Sequence, residues 1–593
     1  MKVKNILKSY ALIIRGLYSS SKFFFFFSFL IVVLLGIIPT IMPILLQYLI
    51  KSLDNISESY FWLNFSMCAV FYLLAHYFTD SLRDIKRISL KLLETYLIHF
   101  MHKKFIEKIK SVKYALFFNP TFLNLYECAK SCCESEPMRV VYTFLSSISS
   151  IIQFISAFFL LLSFNHYVPL ILIFFFIPTI FLKLKLINTN AAFYKAQSVL
   201  RRKVSYYFGL LTNKESWKEI RLFVASHFFK SKYLDNFKKS IFLLKNFLKK
   251  EISFTVLIYL IPKIGILISI YVGALQVIKG EYDVANFICY VQLLILVQYN
   301  CAELVENLSQ NYSSLLLFEN YHEFLQFDSD YSCGNLLVSK ENKYIIEVKN
   351  LSFKYEKDET FVLQDINLTL SPGEVICILG ENGSGKTTLI NLLLRLFTPT
   401  KGKILLDNID INEYDMDSYL SNVCCANQEF SRYSILTNEY ISLANTENYK
   451  DINKLKLATQ QATIGDLIDT FPNGYESVLT RTFDKNGVEL SGGQWQKLAI
   501  SRIFFSDAKI LIFDEPTSAI DSFSEAEIYE NIRKAGKDKT CIFISHRLYT
   551  SKLADKIILL DHGKILESGT HIELMNLRGK YYEMYISQEK NYE

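Results

Sequence analysis

Six apolar runs crowd the first half of the chain, at roughly 23–49, 59–80, 140–164, 167–187, 253–278 and 284–307. Each is long enough to cross a hydrocarbon core of about 30 Å. Within lipid, the backbone must satisfy itself, so runs of this length predict membrane helices. The second is the least apolar, with Asn64, His76 and Asp80 near its ends. Asn165 and His166 alone separate the third from the fourth, which requires a tight hairpin. The first run is too long for a signal-peptide core of about 7–15 residues and is read as a helix that stays in place. Composition agrees: 51% of residues are hydrophobic and 21% charged, against about 25% charged in average soluble chains. A disordered or wholly solvated protein is excluded. The net charge of +6 is a weak excess over 593 residues and does not suggest nucleic-acid binding.

Lys and Arg set the expected orientation. Residues 1–22 hold five basic residues and no acid, 81–139 hold eleven, and 183–250 hold sixteen. The alternate loops are short and hold at most one basic residue each, Lys51 and Lys279. Both termini and the two long basic loops are therefore expected on the cytosolic side of the cytoplasmic membrane. Apolar residues recur at helical spacing in both long loops, as in Ile85, Leu90, Leu93 and Leu97. The loops are read as extensions of the membrane helices, with short transverse helices at their tips, about 119–127 and 213–223. Lys263, one residue after Pro262 in the fifth run, is costly in a membrane. It is a cargo contact, a partner of Glu303 or Glu306, or a side chain that snorkels to the interface. The cluster of Cys128, Cys132 and Cys133 lacks a fourth ligand for a metal and is read as structural.

A polar stretch at 328–343 is read as a linker, dividing a membrane domain (1–327) from an α/β domain (344–593). The predicted fold class is a multidomain membrane protein: an all-α six-helix transmembrane domain plus an α/β P-loop ATPase domain. VICILG, a buried-strand pattern, leads into GENGSGKT and then a helical run. This is G-x-x-x-x-G-K-[ST] in its required strand–loop–helix setting. Gly380, Glu381, Asn382, Gly383, Ser384 and Gly385 form the loop whose amides approach phosphate oxygens at a helix N-terminus. Lys386 is expected on the β/γ phosphates, the Thr387 hydroxyl on Mg²⁺, and Thr388 continues the helix start. A second strand, KILIFDE, ends in Asp514, expected to hold Mg²⁺, and Glu515, expected to orient or deprotonate water.

Between them lies LSGGQ, with Ser491, Gly492, Gly493 and Gln494 at a helix start. That phosphate cradle cannot cap a nucleotide its own P-loop already wraps, so it serves a second copy. With this motif the chain resembles the ATP-binding cassette (ABC) transporters, over residues 344–593. The resemblance implies further roles: Tyr355 stacks on adenine, Gln428 senses Mg²⁺, Asp521 links the two copies, and His546 meets the γ-phosphate. Six spans followed by one cassette resemble an exporter half-transporter, which implies a homodimer in the bilayer driven by ATP and Mg²⁺. SWKEIRLF (216–223) and GGQWQK (492–497) resemble exporters of lanthipeptide-type bacteriocins. That implies peptide cargo, with modification enzymes as possible partners and leader removal by another protein. A multidrug or lipid exporter of the same architecture is the alternative. One run departs from the family: where exporters usually carry a TEVGERG-like stretch, residues 481–487 read RTFDKNG.

Overall fold

The computed structural model describes residues 2–54, 60–327, 334–338, 344–355, 358–428, 430–516, 520–535, 539–545 and 548–589. Contacts divide the chain into two compact units. One combines Met1–Ser111 with Pro120–Asp328, the other Val112–Asn119 with Ser329–Glu593.

The described part of the first unit is helical: α1 (Lys2–Ser20), α2 (Lys22–Asp54), α3 (Phe61–Lys110), α4 (Pro120–Phe164), α5 (Tyr167–Thr212), α6 (Lys214–Leu222), α7 (Ser226–Ile278) and α8 (Val284–Gln326). Six of these, α2, α3, α4, α5, α7 and α8, contain segments long and apolar enough to cross a membrane. The helices run far past the apolar runs that marked them. The charged residues that end hydropathy do not end a helix, because Lys, Arg and Glu are good helix formers. On α3 they also pair one turn apart, Arg83 with Asp80 at 3.2 Å and Arg87 with Asp84 at 3.0 Å. At about 1.5 Å per residue, the 53-residue α7 is about 80 Å long, well beyond a bilayer core. Helix α1, polar on one side, was not anticipated.

The two loop tips compare differently with expectation. Asn213 caps α6 through its side chain, where a short helix was expected. The other tip has no separate transverse helix at about 119–127; the turn between α3 and α4 is a 3-10 turn at Tyr114–Phe118. Asn119 is extended, at φ −91° and ψ 115°. The residue before a proline is pushed to that region, and Pro120 then opens α4 at the position where its missing N–H costs nothing. The expected tip helix is therefore the first two turns of α4. Lys263 is exposed on α7. Among the described residues it forms no ion pair; Glu306 is taken by Lys183 at 2.5 Å.

The second unit holds two sheets. The strands are β1 (Ile346–Phe353), β2 (Leu363–Leu370), β3 (Val375–Leu379), β4 (Lys401–Leu406), β5 (Ile409–Asp410), β6 (Val423–Ala426), β7 (Ile510–Asp514), β8 (Thr540–Ile544), β9 (Lys556–Asp561) and β10 (Lys564–Gly569). The antiparallel sheet runs β2-β1-β4-β5, and the larger one β10-β9-β3-β8-β7-β6. In the larger sheet β9, β3, β8, β7 and β6 are parallel, and β10 is antiparallel to β9. β3, β7 and β8 are buried at every residue. That is why their sequences read as unbroken apolar runs rather than alternations. Ile376 and Ile378 face a core shared with the antiparallel sheet, while Cys377 and Leu379 face the helices. The 3-10 turn at Tyr114–Phe118 belongs to this unit: the rings of Tyr114 and Phe118 lie 6.0 and 5.9 Å from Phe397. Most of the expected linker, 328–343, lies outside the described residues.

Candidate nucleotide site

In an open parallel sheet, ligands bind beyond the carboxyl ends of the strands. Here β3, β6 and β7 end on the same edge. β3 leads through the glycine-rich loop into α9 (Lys386–Leu393). Gly380 and Gly385 sit at φ 151° and 103°. A Cβ on Gly380 would lie 2.2 Å from the Leu560 carbonyl oxygen, and one on Gly385 2.6 Å from Leu363 Cδ2. Only glycine fits either place. A Cβ on Gly383 would meet nothing within 4 Å, so the outer side of the loop is open to a ligand. A phosphate chain fits this cradle.

Lys386 is buried beside the loop and donates to the carbonyls of Gly380 at 2.8 Å and Glu381 at 2.9 Å. Burial lowers the pKa of its ammonium; the carboxylates of Glu515 and Asp514 act in the opposite sense. Across the cleft, β7 ends in buried Asp514. Glu515 follows in the left-handed region, at φ 48°. Its amide donates to the Ile544 carbonyl at 3.2 Å, and its own carbonyl accepts from Gln496 Nε2 at 3.3 Å. Gln428, just after β6, donates from Nε2 to Glu515 Oε2 at 2.9 Å. The cleft between these walls measures about 440 Å³ and is lined by Asn382, Gly383, Lys386, Thr387, Gln428 and Glu515, among others. The oxygens of Thr387, Asp514 and Gln428 suit a hard cation that also takes phosphate oxygens and water.

Other expected residues lie apart. Tyr355 packs edge-on against Phe397, with ring centroids 5.5 Å apart, and its hydroxyl lies 3.2 Å from Thr388 Oγ1. Ser491 caps the helix Gly492–Phe505: its side chain accepts from the Gln494 amide, and the Gln494 side chain accepts from the Ser491 amide. Ser491, Gly492 and Gly493 do not line the cleft of their own chain. Asp521 accepts from the Ser524 amide at 2.8 Å and lies 3.5 Å from the Lys497 ammonium. The hydrogen bonds from Ser524, aided by the Lys497 charge, hold its carboxyl down to about 2. His546 lies outside the described residues.

Gln496 was missed. A buried amide on an apolar helix face is its signal, since such groups must find partners. The atypical 481–487 run closes on itself: Thr480 N–H donates to Val488 O at 2.8 Å, and Arg481 Nε to Gly487 O at 3.2 Å. Phe483, 85% exposed, stands at its tip.

The family model described as "ABC transporter" matches residues 363–518. The subtilin transport ATP-binding protein SpaT of Bacillus subtilis is 28% identical over 562 residues, covering 94% of this chain and 90% of that protein. The nisin transport ATP-binding protein NisT of Lactococcus lactis subsp. lactis is 27% identical, over 79% of this chain and 78% of that protein. An ATP-dependent lipid A-core flippase of Alkalilimnicola ehrlichii is 34% identical, but over 55% of this chain and 54% of that protein. In fold, the chain is similar to a bacterial Atm1-family ABC exporter solved with ATP bound. The TM-score is 0.80 at 19% identity, covering 95% of this chain and 98% of that one. Residues 363–518, with their P-loop cleft closed by Glu515, match the ABC transporter family, and over most of its length, six candidate spans included, the chain is similar to transport ATP-binding proteins.

Proposed function

We propose that two copies of this chain pair in the cytoplasmic membrane and export a peptide of the lanthipeptide or bacteriocin type. The observation that carries the pairing is the position of the signature helix start. Ser491 and Gly492 are exposed and lie outside the cleft that their own P-loop lines. A helix N-terminus that presents amides in this way is an anion site, and a second copy brings the triphosphate to it. Asp521 lies beside that joint.

Within each site the residues divide the work. The Gly380–Gly385 loop and Lys386 hold the triphosphate, and Tyr355 lies beside the adenine. Thr387, Asp514 and Gln428 hold Mg²⁺, which when bound neutralises charge on the phosphates. Glu515, oriented by Gln428, accepts the proton of the attacking water. His546 meets the terminal phosphate. Closure and reopening of the cassette pair switches the access of the spans.

Likeness to SpaT and NisT along most of the chain supports peptide cargo. The second reading, a lipid or multidrug exporter, draws on the more identical but shorter match to a lipid A-core flippase. ATPase stimulation in nanodiscs by precursor peptides, lipids and drugs tests the two. Stimulation by a precursor peptide is expected; stimulation by lipids or drugs alone overturns the peptide reading.

A further inference from the structure

Inside the first unit a cavity of about 860 Å³ opens between α2, α3, α4 and α8. Ligand pockets span roughly 300–1,000 Å³. Five cations line it: Arg83, Lys86, Arg87 and Lys91 on α3, and Arg139 on α4. Three acids share the lining: Asp84, Glu94 and Glu303. Three of the cations already have an acid one turn back: Arg87 with Asp84 at 3.0 Å, Arg83 with Asp80 at 3.2 Å and Arg139 with Glu136 at 3.2 Å. Asp80 and Glu136 stand outside the lining. The two pairs on α3 are exposed and weak, whereas Glu136 is buried; in each, a guanidinium keeps several of its five N–H donors for another partner. Among the described residues Lys86 and Lys91 enter no ion pair. Lys86 lies 3.4 Å from Ser146 Oγ and 5.6 Å over the Tyr142 ring.

The same face of α4 carries Arg139, Tyr142, Ser146, Ser149 and Gln153 at helical spacing. It runs from charge into hydroxyls and an amide. Leu35, Pro39, Leu90, Met138 and the rings of Tyr142 and Tyr299 supply the apolar part of the lining. All five cations fall within 81–139, the basic stretch read as cytosolic, so the cavity opens on the side where cargo enters. Five cations gathered around one cavity suit an anionic ligand.

We propose that this cavity is the cargo site and that it takes a carboxylate-bearing peptide segment. Arg83, Arg87, Lys91 and Arg139 meet the carboxylates, and the side-chain carbonyl of Gln153, whose Nε2 donates to the Leu35 carbonyl at 2.6 Å, meets a peptide amide. The proposal rests on the peptide reading above.

The test uses the full chain in zwitterionic nanodiscs and two dye-labelled peptides of Ser, Gly and Ala. One carries four Glu and the other Gln in their place, with binding read by anisotropy. The Glu peptide should bind about tenfold more tightly, as charge-assisted contacts require. R83Q/R139Q should bring the two peptides to near equality. R83E/R139E should reverse the preference towards a matching Lys peptide, which a merely misfolded variant cannot do. K263Q, exposed and outside the cavity, should keep the wild-type preference. Equal binding of both peptides to the wild type overturns the cavity assignment and leaves the peptide reading standing. A Glu preference that survives in both double variants also overturns the assignment. No peptide binding, with ATPase stimulated only by added phosphatidylglycerol, overturns both.

Discussion

Glu515 holds a backbone angle that non-glycine residues rarely adopt, and three neighbours pin it there: Ile544, Gln496 and Gln428. Strain of this kind persists where surroundings over-determine it. Glu515→Gln should keep that geometry yet lose the proton acceptor. Phosphate release should fall about 10²–10⁴-fold, while ATP binding persists and ATP-bound dimers accumulate. Lys386→Ala removes the ammonium that the loop carbonyls position, and both ATP hydrolysis and export should vanish; export that survived would show that another source drives it. The residues behind these predictions were legible in the sequence because their chemistry is local: a loop, a strand end, a helix start. Gln496 and the Lys183–Glu306 pair were not. Each joins positions far apart in the chain, and which distant groups meet depends on packing that no short pattern records.

Among elements, helix identity was legible and helix extent was not. Hydropathy marks where lipid contact ends, but α3, α4, α5 and α7 continue on charged residues that favour the helix equally. The tip at 114–118 was displaced by several residues because Pro120 begins a helix rather than breaking one. Its aromatic pair should transmit movement. Tyr114→Ala with Phe118→Ala removes two ring contacts on Phe397, each worth about 0.5–1.5 kcal/mol. Basal ATPase should persist while cargo stimulation and transport collapse; intact transport in proteoliposomes would deny the turn that role. Ser491→Ala should cost the signature helix about 1 kcal/mol of capping, visible as a lower unfolding temperature, whereas Ser491→Thr keeps the hydroxyl.

For the whole molecule, a helical part followed by an α/β part was legible from the apolar runs and the strand–loop–helix pattern, but the grouping of Val112–Asn119 with the α/β unit was not. Pairing of two copies has a direct test. Wild type and Lys386→Ala subunits are mixed in equal amounts and reconstituted together. If both sites of a pair must work, about a quarter of the pairs remain fully active, since partners combine at random. Activity near one half would mean that each chain works alone.

The signature helix also carries its own optical probe. The chain has three tryptophans. Trp62 and Trp217 are 77% and 50% exposed, whereas Trp495 is 1% exposed and lies edge-on to Tyr440, with ring centroids 5.3 Å apart. With the other two replaced by Phe, emission from Trp495 alone would be blue-shifted and shielded from iodide, and any nucleotide-driven repacking around that helix would register as a change in its colour or lifetime, with no dye attached.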